Sequence, residues 1–146
     1  MRTRIRRRRS HERPVPEPGT VLVALGKANM KHLIILNDPP YGTERSFNAL
    51  RMAHTLAKND PDADVTVFLM ADAVLCAKAG QKTPDGYYNL ERMVRRVLNG
   101  TGRVLLCGTC MDARGLKTED MMDGVTRSTM DELAAATLAA DRVLVF

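Results

Sequence analysis

Tryptophan is absent from this 146-residue chain, and three Phe with three Tyr bring the aromatic content to only 4%. The core must therefore be aliphatic, built from Leu, Val, Ile, Ala and the nine Met. So few aromatics also leave little surface on which single-stranded nucleic acid could stack. No apolar run approaches the eighteen or so residues of a membrane span. The run at 21–25 is too short for a secretory segment. There is no P-loop and no Gly-x-Gly-x-x-Gly fingerprint, so nucleotide chemistry is unsupported and no cofactor is expected. Gly108-Thr109-Cys110 is not a hydrolase elbow, because no second glycine follows two residues later. Three cysteines, Cys76, Cys107 and Cys110, make no disulfide framework. A reducing cytoplasm is the expected compartment, and there a Cys-x-x-Cys pair is reactive or metal-binding rather than structural.

The formal charge of +5 suggests a polyanion partner until its distribution is considered. Residues 1–29 hold seven Arg and Lys27 against Glu12 and Glu17, whereas residues 30–146 carry fourteen basic and fifteen acidic side chains. The body is near neutral and has no evident nucleic-acid footprint. Residues 1–29, with a block of four arginines at 6–9 and prolines at 14, 16 and 18, are expected to be a disordered basic extension, and a single domain is expected over 30–146. The run beginning at Met30 reads as the opening of an α/β domain, which would make the head an upstream extension or a misassigned start. Its functional alternative is an arm for nucleic acid or a membrane surface.

From residue 30 onward, apolar runs alternate with helical periodicity. Strands are expected over 32–37, 65–70, 103–107 and 143–146, with a brief extended piece at Val125. Helices are expected over 43–59, 73–79, 90–98 and 129–140, with a helical turn at 118–122. In the last helix Met130, Leu133, Ala134, Thr137 and Leu138 are assigned inward. This alternation predicts a three-layer α/β/α sandwich around a mainly parallel five-stranded sheet.

The chain's one stretch of abrupt chemistry is 105–116, where an apolar strand breaks at Gly108 and presents Cys107 and Cys110 before Arg114 and Gly115. Ligands in open parallel sheets gather outside the carboxyl ends of the strands. That edge would also carry Asp38, Tyr41 and Asp72, which are assigned with Gly115 as binding residues. Thiolate, not thiol, is the nucleophile, and a nearby cation favours it. Arg114, one helical turn beyond Cys110, is the expected activating cation, with Lys117 a second. Cys110, in the exposed part of the loop, is assigned attack or sulfur loading, and Cys107, at the strand end, a resolving role. Zinc would need two more ligands, for which only Cys76, His32 and His54 are available in the body without finger-like spacing, so no metal is expected. A thioredoxin reading fits poorly because the pair follows a late strand.

The residues also carry a resemblance. Pro40-Tyr41-Gly42, Phe47-Asn48-Ala49-Leu50-Arg51, Phe68-Leu69-Met70-Ala71-Asp72-Ala73-Val74, Leu106-Cys107-Gly108-Thr109-Cys110, Asp112-Ala113-Arg114-Gly115 and the close Ala140-Asp141-Arg142-Val143-Leu144-Val145-Phe146 resemble the small DsrE/DsrF-like family in its YchN-type branch. The likeness covers 30–146 and none of 1–29. It implies an α/β/α sandwich, assembly as a homo-oligomer (trimer or hexamer), and a persulfide carried on a loop cysteine, here Cys107 or Cys110, and handed between donor and acceptor proteins. A sulfur carrier or persulfide transferase is thus the leading expectation. A thiol redox sensor, or a regulatory oligomer that binds a small ligand, is the alternative. No membrane partner is expected.

Overall fold

The computed structural model describes residues 29–146, so the basic extension expected over 1–29 lies, but for Asn29, outside the described residues. Five strands form one sheet in the order β4-β3-β2-β1-β5: β1 (Lys31–Leu36), β2 (Asp64–Leu69), β3 (Arg103–Cys107), β4 (Thr126–Ser128) and β5 (Arg142–Val145). All four pairings are parallel. The helices are α1 (Arg45–Asn59), α2 (Leu90–Leu98), α3 (Gly108–Asp112) and α4 (Met130–Ala139), with 3-10 helices at Ala71–Ala77 and Thr118–Asp120. Among the described residues no helix is long and apolar enough to cross a membrane.

The apolar runs form central strands because both of their faces are covered. In β2, every residue from Val65 to Leu69 is buried. Register separates the two faces. Ile34, Val67 and Val104 lie on one rung and Leu36, Leu69 and Leu106 on another of the same face, all at most 1% exposed. Successive crossovers from β1 to β3 carry α1 and α2 over one face, where they pack on each other. The chain then jumps from edge strand β4 back to β5 beside β1, which carries α4 across the opposite face. There Phe68 is fully buried, but Ile35 and Leu105 on its rung are only half-buried, because among the described residues α4 is the helix that packs on that side.

Helix α4 requires a correction. Leu133 is buried and Ala136 and Ala140 are half-buried, whereas Met130, Ala134, Thr137 and Leu138, assigned inward from the sequence, face outward, with Leu138 90% exposed. An alanine-rich helix has almost no polarity contrast between its sides, so periodicity does not identify the buried one. The helix start is unambiguous. Thr129 Oγ1 accepts the Glu132 N–H at 3.2 Å, Glu132 Oε2 accepts the Thr129 N–H at 2.9 Å, and Ser128 Oγ donates to the same oxygen at 2.6 Å. The Ser128 bond first, and then Thr129, hold the Glu132 carboxyl below its ordinary range. The stabilisation is present at neutral pH and is lost as pH falls through that depressed value. Thr129→Ala is expected to cost about 1 kcal/mol and to lower the melting temperature by about 4 °C. An unchanged calorimetric melt would show that this cap contributes nothing.

Candidate functional site

The thiols lie where β3 gives way to α3. Cys107 is the last strand residue and N-cap of α3, at 5% exposure, and Cys110 is half-buried on the helix itself. The sequence predicts a loop here; the structure makes it a five-residue helix, too short and without an apolar stripe for a helical period to show. Met111, fully buried, anchors the segment, and its carbonyl accepts the N–H groups of Arg114 and Leu116, both at 3.0 Å. Gly115 ends the turn at φ +64°, a left-handed conformation costly to residues with a Cβ. Its role is thus in shaping the loop.

Across the carboxyl edge, β2 runs into the 3-10 helix at Ala71, which is held at φ +49° although it is not glycine. Left-handed backbone costs an ordinary residue roughly 1–2 kcal/mol. At Ala71 it coincides with a specific contact, the Ala71 N–H donating to Cys110 Sγ at 3.1 Å. Asp72, the next residue, accepts Arg114 Nε at 2.9 Å and Nη2 at 2.7 Å through Oδ1. Arg114 Nη1 donates to the Cys110 carbonyl at 3.0 Å. The guanidinium expected to activate the thiol thus ties the thiol loop to the 3-10 helix. Lys117 lies 4.0 Å from Glu119.

The two cysteines are not equivalent. Burial pushes the Cys107 thiol up from its ordinary value, and the side chain of Cys110 raises it further through hydrogen bonding and charge. The backbone N–H groups of Cys110 and Thr109 pull the other way, as donors do at an N-cap. Cys76, fully buried in the body, is pushed up to about 12 by desolvation, against a hydrogen bond from Ser46.

Sequence reasoning missed Arg127. It sits on edge strand β4, in register with Leu106, and Nη2 donates to Asp112 Oδ2 at 2.6 Å. This pairing holds the Asp112 carboxyl below its usual range and raises Arg127, which the Cys107 sulfur raises a little more. Two arginine–aspartate pairs therefore flank the thiol segment, Arg114 with Asp72 beside Cys110 and Arg127 with Asp112 over Gly108. Only strand register brings Arg127 to Gly108, so no local motif signals it.

Asp38 and Tyr41 lie on the same sheet edge but direct their bonds elsewhere. Asp38 accepts Thr43 Oγ1 at 2.9 Å and organises its own turn. Tyr41 donates its hydroxyl to Gln81 Oε1 at 2.6 Å, accepts the Leu90 N–H at 3.3 Å and stacks on Tyr88. Gln81 in turn donates to the carbonyls of Leu75, Cys76 and Lys78 at the far end of the 3-10 helix. Tyr41 thus reaches the thiols only through the helix that carries Ala71. Among the described residues no three His, Cys, Asp or Glu side chains converge on one point suited to a metal ion.

The sequence and fold match known proteins. Protein YchN of Escherichia coli is 43% identical over 116 residues, covering 80% of this chain and 98% of its own length. The crystal structure of that protein superposes with a TM-score of 0.76 over 80% of this chain and 99% of the other. Sulfurtransferase TusD of Salmonella arizonae is 27% identical over 129 residues, spanning 80% of this chain and all of TusD. The profile of the DsrE/DsrF-like family matches residues 30–146, the whole of the folded body. The chain belongs to the DsrE/DsrF-like family.

Proposed function

We propose that the protein is a cysteine-based sulfur carrier that takes sulfane sulfur onto Cys110 and passes it to an acceptor protein in the cytoplasm. The observation that carries this reading is the Ala71 N–H held at 3.1 Å from Cys110 Sγ by a strained backbone. In loading, the Cys110 thiolate attacks the outer sulfur of a donor persulfide. A new S–S bond forms at Cys110, the donor's S–S bond breaks, and the donor leaves as thiolate. Delivery runs the same way: an acceptor thiolate attacks the outer sulfur and Cys110 is the leaving thiolate. Sulfur changes hands with no net oxidation, and in both directions Ala71 donates to the sulfur that bears the negative charge. Likeness to the sulfurtransferase TusD supports the chemistry.

The proximity of the two thiols favours a second reading, a redox pair that closes to a Cys107–Cys110 disulfide. Intact-mass measurement of the full chain after incubation with polysulfide separates the two. The carrier gains one sulfur atom, localised to Cys110 by fragmentation, whereas the redox pair loses two hydrogens and gains nothing. No adduct at either cysteine would sink the carrier reading.

Assembly into a homo-oligomer belongs to the same proposal. Val143 and Val145 extend the α4 side of the sheet beside Leu33 and Ile35, at 41% and 64% exposure, and Met130 and Leu138 of α4 face outward. A second copy of this chain packing there would remove this apolar surface from water. Hydrodynamic mass is expected at a multiple of 16.2 kDa, reduced by Leu138→Lys with Val145→Lys. A single-chain mass for the unaltered protein would refute it.

A further inference from the structure

A cavity of about 160 Å³ adjoins the thiol segment, and two unlike kinds of side chain line it. Leu106, Met111, Met121 and Met122, all at most 7% exposed, form an apolar floor. Asp123 and Arg127, both exposed, border the same space with opposite charges. Neither Cys107 nor Cys110 is part of the lining.

The two charges do not meet. Among the described residues Asp123 has no hydrogen-bond or ion-pair partner, and Arg127 spends only Nη2, on Asp112 at 2.6 Å. The guanidinium is fixed where it stands. Asp112 holds it on one side, and on another it rests on Gly108, where an added Cβ would lie 2.9 Å from Nε. It cannot swing across to Asp123 without giving up both contacts. An anion and a cation are thus held apart across a space with an apolar floor, and each keeps unused hydrogen-bonding capacity. A ligand with only a carboxylate would leave Asp123 uncompensated, and one with only an amine would leave Arg127 so. A zwitterion satisfies both. Guanidinium takes a carboxylate through charge-assisted hydrogen bonds. The methionine thioethers, flexible and polarizable, mould to an apolar chain. Since a cavity of about 150 Å³ holds a molecule the size of benzene, this one admits a side chain of about four to six heavy atoms.

We propose that the cavity binds a free α-amino acid with an apolar side chain of methionine or leucine size. Its carboxylate sits on Arg127, its ammonium on Asp123 and its side chain over Met111, Met121 and Met122. The site goes beyond sulfur carrying, because neither thiol touches the ligand. It borders that function through Met111, which anchors α3.

Isothermal titration calorimetry of the full chain with L-methionine tests the site, and saturable binding is expected. N-acetyl-L-methionine lacks the ammonium and L-methionine amide lacks the carboxylate, so each should bind at least about tenfold more weakly, as loss of a charged hydrogen bond implies. Arg127→Gln should weaken methionine about tenfold but not weaken the amide further. Asp123→Asn should weaken methionine about tenfold but not weaken the N-acetyl compound further. Damage to the fold would weaken every probe alike, so this matching of variant to probe reads direct contact. The proposal is overturned if neither L-methionine nor L-leucine binds saturably to the unaltered chain. It is overturned equally if the N-acetyl compound binds as well as methionine, or if neither substitution moves the methionine affinity. Should Arg127→Gln fail to fold, Asp123→Asn, at an exposed position, decides alone. Methionine binding without any persulfide on Cys110 would keep this site and remove the carrier reading. Persulfide on Cys110 without methionine binding would do the reverse.

Discussion

Cys110→Ser is expected to take up no sulfur from polysulfide, while Cys107→Ser loads normally and Cys76→Ser is indistinguishable from the unaltered chain. The ordering follows from three different environments. Cys76 is buried with its thiol at about 12, so at neutral pH only about one molecule in 10⁵ carries the thiolate that could attack. Cys107 is 5% exposed and its ionisation is opposed first by burial and then by Cys110. Cys110 is the most accessible of the three and receives a backbone N–H at 3.1 Å. Serine keeps the size of the side chain but supplies an alcohol in place of a thiol, so loss of the adduct in Cys110→Ser reads chemistry and not packing. In Cys107→Ser the persulfide should form and be discharged to a small thiol, but oxidation should no longer close a disulfide within the chain. Sulfur on Cys107 in the Cys110→Ser variant, at the rate of the unaltered protein, would reverse the assignment of the two thiols.

The same residues show what sequence alone could and could not reach. The strands were legible because 32–37, 65–70 and 103–107 are apolar runs bounded by turn formers, and only a sheet covered on both faces accepts such runs. The stripe at Leu90, Met93, Val94 and Val97 placed α2, and all four are buried. What failed locally was α4, whose alanines give its two sides nearly the same polarity. Most of the site was illegible for another reason. Cys107, Cys110 and Asp72 could be put on one edge from topology, but Ala71 carries no mark of its left-handed backbone, and Arg127 meets Gly108 only through the pairing of β3 with β4. The signal that could have found Arg127 is the glycine itself. Gly108 lacks positive φ, and the space where its Cβ would stand is bordered by the Arg127 guanidinium.

Met111→Ala is expected to be the most damaging single change to the thiol segment, destabilising the protein by about 3 kcal/mol, a large share of the roughly 5–15 kcal/mol that holds such a domain folded. Met111 is fully buried, and the turn that closes at Gly115 is tied to its carbonyl. Its side chain borders a cavity of about 160 Å³ shared with Met121, Met122, Leu106 and Arg127. Truncation would merge new empty volume with that space, and the two neighbouring methionines, with their flexible thioethers, could refill only part of it. Met111→Leu nearly conserves volume and should cost less than about 1.5 kcal/mol. Urea unfolding of both variants checks the stability difference. The functional consequence is separate and can be read under conditions where both remain folded. Without its anchor α3 can shift against the 3-10 helix, and a small displacement of Cys110 is enough to lose the Ala71 N–H. Sulfur loading should therefore slow in Met111→Ala although Cys110, Arg114 and Asp72 are all present, and be retained in Met111→Leu. Loading at the unaltered rate in a folded Met111→Ala protein would mean that the Ala71–Cys110 contact, and the strain held at Ala71, do not matter to the reaction.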